Sequence, residues 1–447
     1  EIVLACQQQE LTDWDVPMAG FFYQDRKRDL IWHHNHMSYS YLPDLALRTL
    51  CESYPDDPDY MKWYSALALS GDYYKALSKY TFPYGVVPAG VYHIDELADH
   101  GQKVLCTHPG MVGYVAEAEK EKKLQAEGKL PEGYQPVSAG YAMEDLAAQY
   151  KVMVEKGFPL GKGYYVRVYP VWFSFRGNYN VLLSESKCMS SAALVRNDYA
   201  LYTASQQQYE WIVGKNPMAQ STLYGEGYDY IQLYAVQPNQ TVGAISVGME
   251  SHHDEDAPYW PQVNNATDKE VWVCPATKWM WCMADNLLPG KVRGYIKVED
   301  SAPIRFVHLL NGKSYEVLPH TRTGFYEIDL PAGNYTMSYG EISRALTVIS
   351  GRVYEIDGAL YALEISTEEK DGSVILTVNA SGEQDLPIEI KAENLSGVSG
   401  QTVLKMENGK GSVQLSGKVE NPKKPYFGIL IPNGNLGDKV EFTNSKF

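Results

Sequence analysis

The sequence predicts a multidomain chain, helical first and β afterwards: an (α/α)6 toroid, incomplete at its N-terminus, followed by two small β-sandwich-like modules. Three observations carry this. Apolar residues recur at helical spacing up to about residue 288. Long Gly-, Pro- and aromatic-rich stretches separate those runs. At Pro289-Gly290-Lys291 the pattern changes to alternation with period two.

The helical spacing covers residues 43–54, 59–80, 142–156, 178–196, 199–213 and 271–288. Asp57-Pro58-Asp59 is an N-terminal signal for the second of these. Residues 117–127 interleave Lys and Glu and read as a solvated surface helix. Residues 82–93, 157–177 and 214–268 read as irregular loops packed over a site. Paired helices joined by such loops predict helical hairpins. The count reaches about six or seven, where a ring of six hairpins needs about twelve, so a preceding segment is expected before Glu1. The start Glu1-Ile-Val-Leu-Ala-Cys6 agrees, since it reads as the inside of a helix and not as a signal peptide.

Short strands are expected at 292–298, 306–310, 324–329 and 346–349, with turns at Asn311-Gly312 and Pro331-Ala-Gly-Asn334. A second β module offers strands at 373–379, 388–392, 411–415 and 427–431. The domains are therefore 1–289 (helical, catalytic), 290–358 and 359–447. The β modules carry no clustered His, Cys or carboxylates, so their expected role is packing or spacing.

A net charge of −16 repels phosphate backbones and excludes a nucleic-acid partner. No apolar run approaches a membrane span. The chain has 35 Tyr against 11 Phe, a bias toward rings that stack and also hydrogen-bond, as wet clefts and carbohydrate faces require. The six cysteines form no CxxC or other ligand spacing and read as buried thiols.

The most informative stretch runs from Tyr209 to Tyr228. Gly214 sits where a helix C-cap wants positive φ, and Pro217 forbids the helix to resume. Tyr224, Glu226 and Tyr228 then line a glycine-rich loop suited to a sugar. Tyr259 and Trp260, between Pro258 and Pro261, present rings at a fixed angle. Trp32, His33 and His36 form a second polar-aromatic cluster, with Asp25 and Arg26 upstream to meet a substrate carboxylate or cap a turn. Tyr84 lies in a loop that reads as a cleft wall. No metal site is expected. His252-His-Asp-Glu-Asp256 with Asp268 matches no known cation loop and reads as a solvated acidic turn. Its His and carboxylate groups together would suit a transition metal, and its carboxylates alone calcium.

Gly214-Lys-Asn-Pro217, then Ser221 and Gly225-Glu-Gly227, resembles the loop of glycoside hydrolase family 9. Asp268-Lys269-Glu270, before a helix with Ala276 and Ala284-Asp-Asn-Leu287, is similar to that family's Asp-x-x-Asn-Glu block. The resemblance spans about 75 residues. It implies an (α/α)6 barrel, inverting hydrolysis and Glu270 as proton donor. Glu270 also precedes an apolar helix, where partial desolvation would suit an acid. Lys269 stands where the family has Asn. The family's His-His-Arg motif and its Asp-Ala-Gly-Asp block, which holds the nucleophilic water, are absent, so the base lies in a preceding segment or is another group.

The expected function is therefore a glycoside hydrolase on a poly- or oligosaccharide, in a secreted, periplasmic or cell-surface setting. Two alternatives stand beside it: a polysaccharide lyase with a Tyr or His base, and a non-catalytic glycan-binding protein.

Overall fold

The computed structural model describes residues 1–32, 40–106, 109–134, 142–171, 177–230, 232–234, 241–251, 255–261, 269–298, 302–357 and 361–446. It is a mixed chain of helices followed by sheets. None of the helices is long and apolar enough, among the described residues, to cross a membrane.

The helices are α1 (Ile2–Cys6), α2 (Tyr41–Ser53), α3 (Tyr60–Ser78), α4 (Glu96–Cys106), α5 (Pro109–Ala126), α6 (Met143–Val154), α7 (Tyr179–Arg196), α8 (Tyr199–Ile212) and α9 (Val273–Ala284). Six of them stand where the apolar spacing puts helices. Helix α7 is the centre of the helical part. It packs against α2, α3, α8 and α9, and every residue from Tyr179 to Val195 is buried. A helix surrounded on all sides has no polar face to show. Its Ser, Asn, Glu and Lys side chains must find partners inside. Lys187 meets Asp285 at 2.5 Å, and Ser190 donates to the same carboxylate at 2.7 Å. Burial pushes the Glu185 carboxyl well above the usual carboxylate range.

The turn from α7 to α8 is made by two residues. Asn197 adopts φ 63°, the left-handed C-cap that Asn tolerates. Asp198 then caps α8 by accepting from the Leu201 N–H at 3.0 Å.

All three stretches read from sequence as irregular contain strands. β1 (Gly90–His93), β2 (Phe158–Gly161) and β3 (Tyr164–Arg167) form an antiparallel sheet in the order β1-β3-β2. The last stretch holds the two-residue β4 (Glu250–Ser251) and β5 (Pro258–Tyr259), paired antiparallel. The β2–β3 turn needs positive φ at Gly161, Lys162 and Gly163, which two glycines and one exposed lysine supply. Strands of four residues are too short to show alternation in sequence. Helix α4 and the front of α5 were likewise not legible.

From Gly290 onward two pairs of sheets follow. In the first pair, β6 (Gly290–Tyr295), β9 (Phe325–Leu330) and β12 (Val353–Glu355) lie in the order β12-β6-β9. They face a sheet ordered β11-β10-β7-β8, built from β7 (Ile304–His308), β8 (Ser314–Val317), β10 (Gly333–Tyr339) and β11 (Ile342–Val348). Val292, Phe306, Tyr326, Tyr335 and Met337 fill the shared core.

In the second pair one sheet runs β13-β14-β18-β16, from β13 (Tyr361–Lys370), β14 (Ser373–Gly382), β16 (Leu395–Ser396) and β18 (Lys410–Val419). The other runs β17-β15-β19-β20, from β15 (Leu386–Glu393), β17 (Gly400–Leu404), β19 (Phe427–Pro432) and β20 (Val440–Thr443). Leu376, Val378, Ile388 and Leu430 join the two.

Strand β19 is buried at all six positions. Period two explains this. Leu430 faces the core between the sheets, while Phe427, Ile429 and Ile431 belong to the core of the helices. A charged network reinforces that seam. Arg196, at the end of α7, meets Asp72 at 2.6 Å and Glu441 at 2.7 Å. Tyr64 donates to Glu441 at 2.6 Å, and Ser445 donates to Asp72 at 2.6 Å. Burial alone would lower the Arg196 pKa. Glu441 and Asp72 outweigh it and hold the guanidinium well above its ordinary value.

Cys6, Cys51, Cys188 and Cys282 are buried free thiols, and Cys274 is partly buried. Glu96 is buried with Tyr150 donating to it at 2.6 Å. Burial raises its pKa to about 8, against the smaller lowering from Tyr150.

Two outcomes follow. Arg196→Met leaves two carboxylates uncompensated at a buried seam and should cost about 3–5 kcal/mol in denaturant unfolding. For Glu96, the native state holds a proton between pH 4.5 and 8 that the unfolded chain releases. Its contribution therefore makes stability fall as pH rises through that window. Glu96→Gln should flatten the slope of Tm against pH there; an unchanged slope would contradict the assignment.

Candidate active site

The loop after α8 and the Glu270 segment are far apart in sequence, and the backbone ties them together. Leu223 bridges Ile245, Ser246 bridges Val271, and Tyr234 bridges Glu270. The Val247 N–H donates to the Glu270 carbonyl at 2.9 Å, and the Tyr234 N–H to the Lys269 carbonyl at 2.9 Å. Residues 245–247 are thus the shared rung between the two.

The same segment anchors on α7. Tyr179 N–H donates to Val247 and Asn178 N–H to Met249, at 3.0 and 2.8 Å. A Cβ on Gly177 would lie 1.8 Å from the Gly248 carbonyl oxygen. Only glycine permits that approach.

Asn216 builds the turn that follows α8. It is buried, and its Nδ2 donates to the carbonyls of Trp211 and Gln220 at 2.8 Å each. Its Oδ1 accepts from the Met218 N–H at 3.1 Å. Gly214 has the positive φ expected of it, 121°. Thr222 reaches back to the Ile212 carbonyl at 2.9 Å and meets the Tyr179 hydroxyl at 2.5 Å.

Glu270 is half-buried, three residues ahead of the first residue of α9. Its Oε2 accepts from the Trp272 indole N–H at 2.7 Å. Residues two apart in extended backbone share a face, which is how Trp272 reaches it. Lys269 points the other way. It is fully buried, with its Nζ 5.3 Å from the centre of the Trp260 ring.

The aromatic residues divide into two sets. Tyr224 and Trp260 are buried, each 5% exposed, in a core with Tyr209 and Trp211. This differs from the open stacking faces read from sequence: the apolar ring is needed for packing. Tyr84 is half-buried, edge-on to Trp211 at 5.6 Å. Trp32 is half-buried against the helical core. Glu226 and Tyr228 are exposed. Tyr259 is 37% exposed, Tyr230 43% and Tyr234 40%. Tyr259 and Trp260 alternate, one outward and one inward. The sequence reading missed Tyr230, Tyr234 and Trp272; their signal was aromatic residues close to both motifs.

Asp256 also departs from the solvated acidic turn expected of it. Its carboxylate accepts from the N–H groups of Val168 and Tyr169 at 2.8 and 2.9 Å and faces Arg167 at 3.6 Å. Burial raises its pKa, with Arg167 opposing. It is a structural ligand of β3. Asp25 accepts from the Lys27 N–H at 2.8 Å, which caps a turn. His33, His36 and Asp268 lie outside the described residues, as do His252, His253 and Asp254.

No family model matches the chain. No curated protein matches it either. Among solved structures it is similar to a marsupial T cell receptor, 9% identical over 35% of this chain and 62% of that one, with a TM-score of 0.16. A chicken interferon gamma receptor alpha chain is 9% identical over 35% of this chain and 95% of that one, at 0.14. Endoglucanase CelQ from Clostridium thermocellum, solved with cellobiose and cellotriose, is 11% identical over 99% of this chain and 76% of that one, at 0.21. Scores this low carry no argument about the fold.

Asn216→Ala removes the three hydrogen bonds to Trp211, Gln220 and Met218 and the longer one from the Gln220 N–H at 3.4 Å. It should lower stability by about 1–3 kcal/mol in chemical denaturation. Circular dichroism should show helix content unchanged.

Proposed function

We propose that the chain is a glycoside hydrolase acting on a poly- or oligosaccharide, with Glu270 as the acid. The observation that supports this best is the ladder joining the Asn216 turn, residues 245–247 and Glu270. It sets a carboxylate that accepts from Trp272 on a stretch paired with Tyr234, whose ring is exposed, while the exposed Tyr230 pairs with Ser221 of the loop after α8. Rings that stack on sugar faces, beside a carboxyl that can give a proton to a leaving oxygen, are what glycosidic cleavage requires.

The indole N–H is donated to Oε2, so a proton carried by Glu270 sits most readily on the other oxygen, Oε1. The reaction then needs a second carboxylate to activate water. In this proposal the configuration is inverted, and Tyr228, Tyr259 and Glu226 extend the sugar-binding surface. A secreted, periplasmic or cell-surface setting belongs to the same reading.

Glu270→Gln keeps the Trp272 hydrogen bond and removes the transferable proton. Glycan cleavage, followed as reducing-sugar release, should fall by about 100-fold or more. Binding, followed by calorimetry, should be retained. Cleavage at the wild-type rate would remove Glu270 from the mechanism. Release accompanied by rising ultraviolet absorbance would mean a lyase.

A further inference from the structure

A cavity of about 530 Å³ opens where three parts of the chain meet. Helix α2 contributes Arg48, Cys51 and Glu52. The ends of α7 and α9 contribute Leu194 and Asp285. The turn between β11 and β12 contributes Arg352, and the turn before β20 contributes Lys439.

The charges do not balance. Three cations, Arg48, Arg352 and Lys439, face two carboxylates. Both carboxylates are already engaged. Glu52 takes Arg48 at 3.1 Å and Arg352 at 3.2 Å. Asp285 takes Lys187 at 2.5 Å and Arg48 at 3.4 Å. Lys439 is 9% exposed. Among the described residues no carboxylate lies within 4.0 Å of it; its Nζ has the Leu436 carbonyl at 3.5 Å. Burial first and the Arg352 charge second lower its pKa to about 8, against a smaller opposing effect of Glu441. A buried ammonium beside a like charge is costly unless an anion joins it.

We propose that this cavity is a binding site for an oxyanion of the sulfate or phosphate class, held by Lys439 with Arg352 and Arg48 at the rim. Arginine forks and a lysine point charge are the usual donors to such groups. The net charge of −16 gives anions no general attraction to this chain, so affinity must come from the local cluster. The occupant would bridge α2, the β11–β12 turn and the turn before β20. This site is independent of Glu270.

The test is thermal unfolding of the full chain in millimolar sodium sulfate, sodium phosphate or glucose 6-phosphate, against sodium chloride at matched ionic strength. Wild type should gain about 2 °C or more with the oxyanions over chloride. Lys439→Met keeps the volume and removes the charge. It should abolish the gain, and Arg352→Gln, a second route if the first variant folds poorly, should reduce it. Using the variants in the same buffers subtracts the general salting effect of sulfate. A larger gain with glucose 6-phosphate than with phosphate would mark a sugar ester as the occupant, and equal gains a free anion. No gain over chloride, or a gain undiminished in both variants, would overturn the site.

Discussion

The constraint on which the rest depends is the placement of Arg196. It stands at the last turn of a helix buried on every side. Its guanidinium has to leave the helical core and still be neutralised. Asp72 from α3 and Glu441 from β20 do this together. Because Glu441 lies near the end of the chain, the ion pairs bring the last strand onto the first helices. Strand β19 then buries both faces, one on each core. The C-terminal sheets are a wall of the helical part and not a trailing appendage.

The same burial sets the geometry at the other end of α7. Its N-terminus takes residues 247–249 as partners, and that segment carries Glu270 and the Asn216 turn on its two sides. The backbone of Glu270 is held by hydrogen bonds to a segment anchored on a rigid element, which limits where its carboxyl can sit. Trp272 completes the arrangement with one directed donor. The residues around it do two jobs that the sequence cannot separate. Tyr224 and Trp260 pack inward into a core, and Tyr230, Tyr234 and Tyr259 are exposed.

The long helices were legible because burial on one or more faces writes a period of three to four into the sequence. The change at Pro289-Gly290-Lys291 was legible for the same reason, as a shift to period two. The β1-β3-β2 sheet was not, because its strands have four residues each and their pairing is long-range: Gly90 meets Arg167. The acidic run ending at Asp256 misled in a related way. Its charge suggested solvent or a cation, yet Arg167 at the end of β3 and the two N–H groups that follow it take up the carboxylate.

Sequence by itself determined six of the helices, the change to strands at Pro289-Gly290-Lys291, the turn chemistry of Gly214 and Pro217, and the two short motifs on which the proposal for Glu270 rests. These are local: they depend on residues within a turn or two of one another. Tertiary structure alone decided which rings are buried and which are exposed, that Trp272 donates to Glu270, and that Glu441 and Asp72 meet at Arg196. Those outcomes depend on which distant segment arrives beside each residue, and residues 245–247 and Glu441 carry no mark in the sequence of the partners they meet.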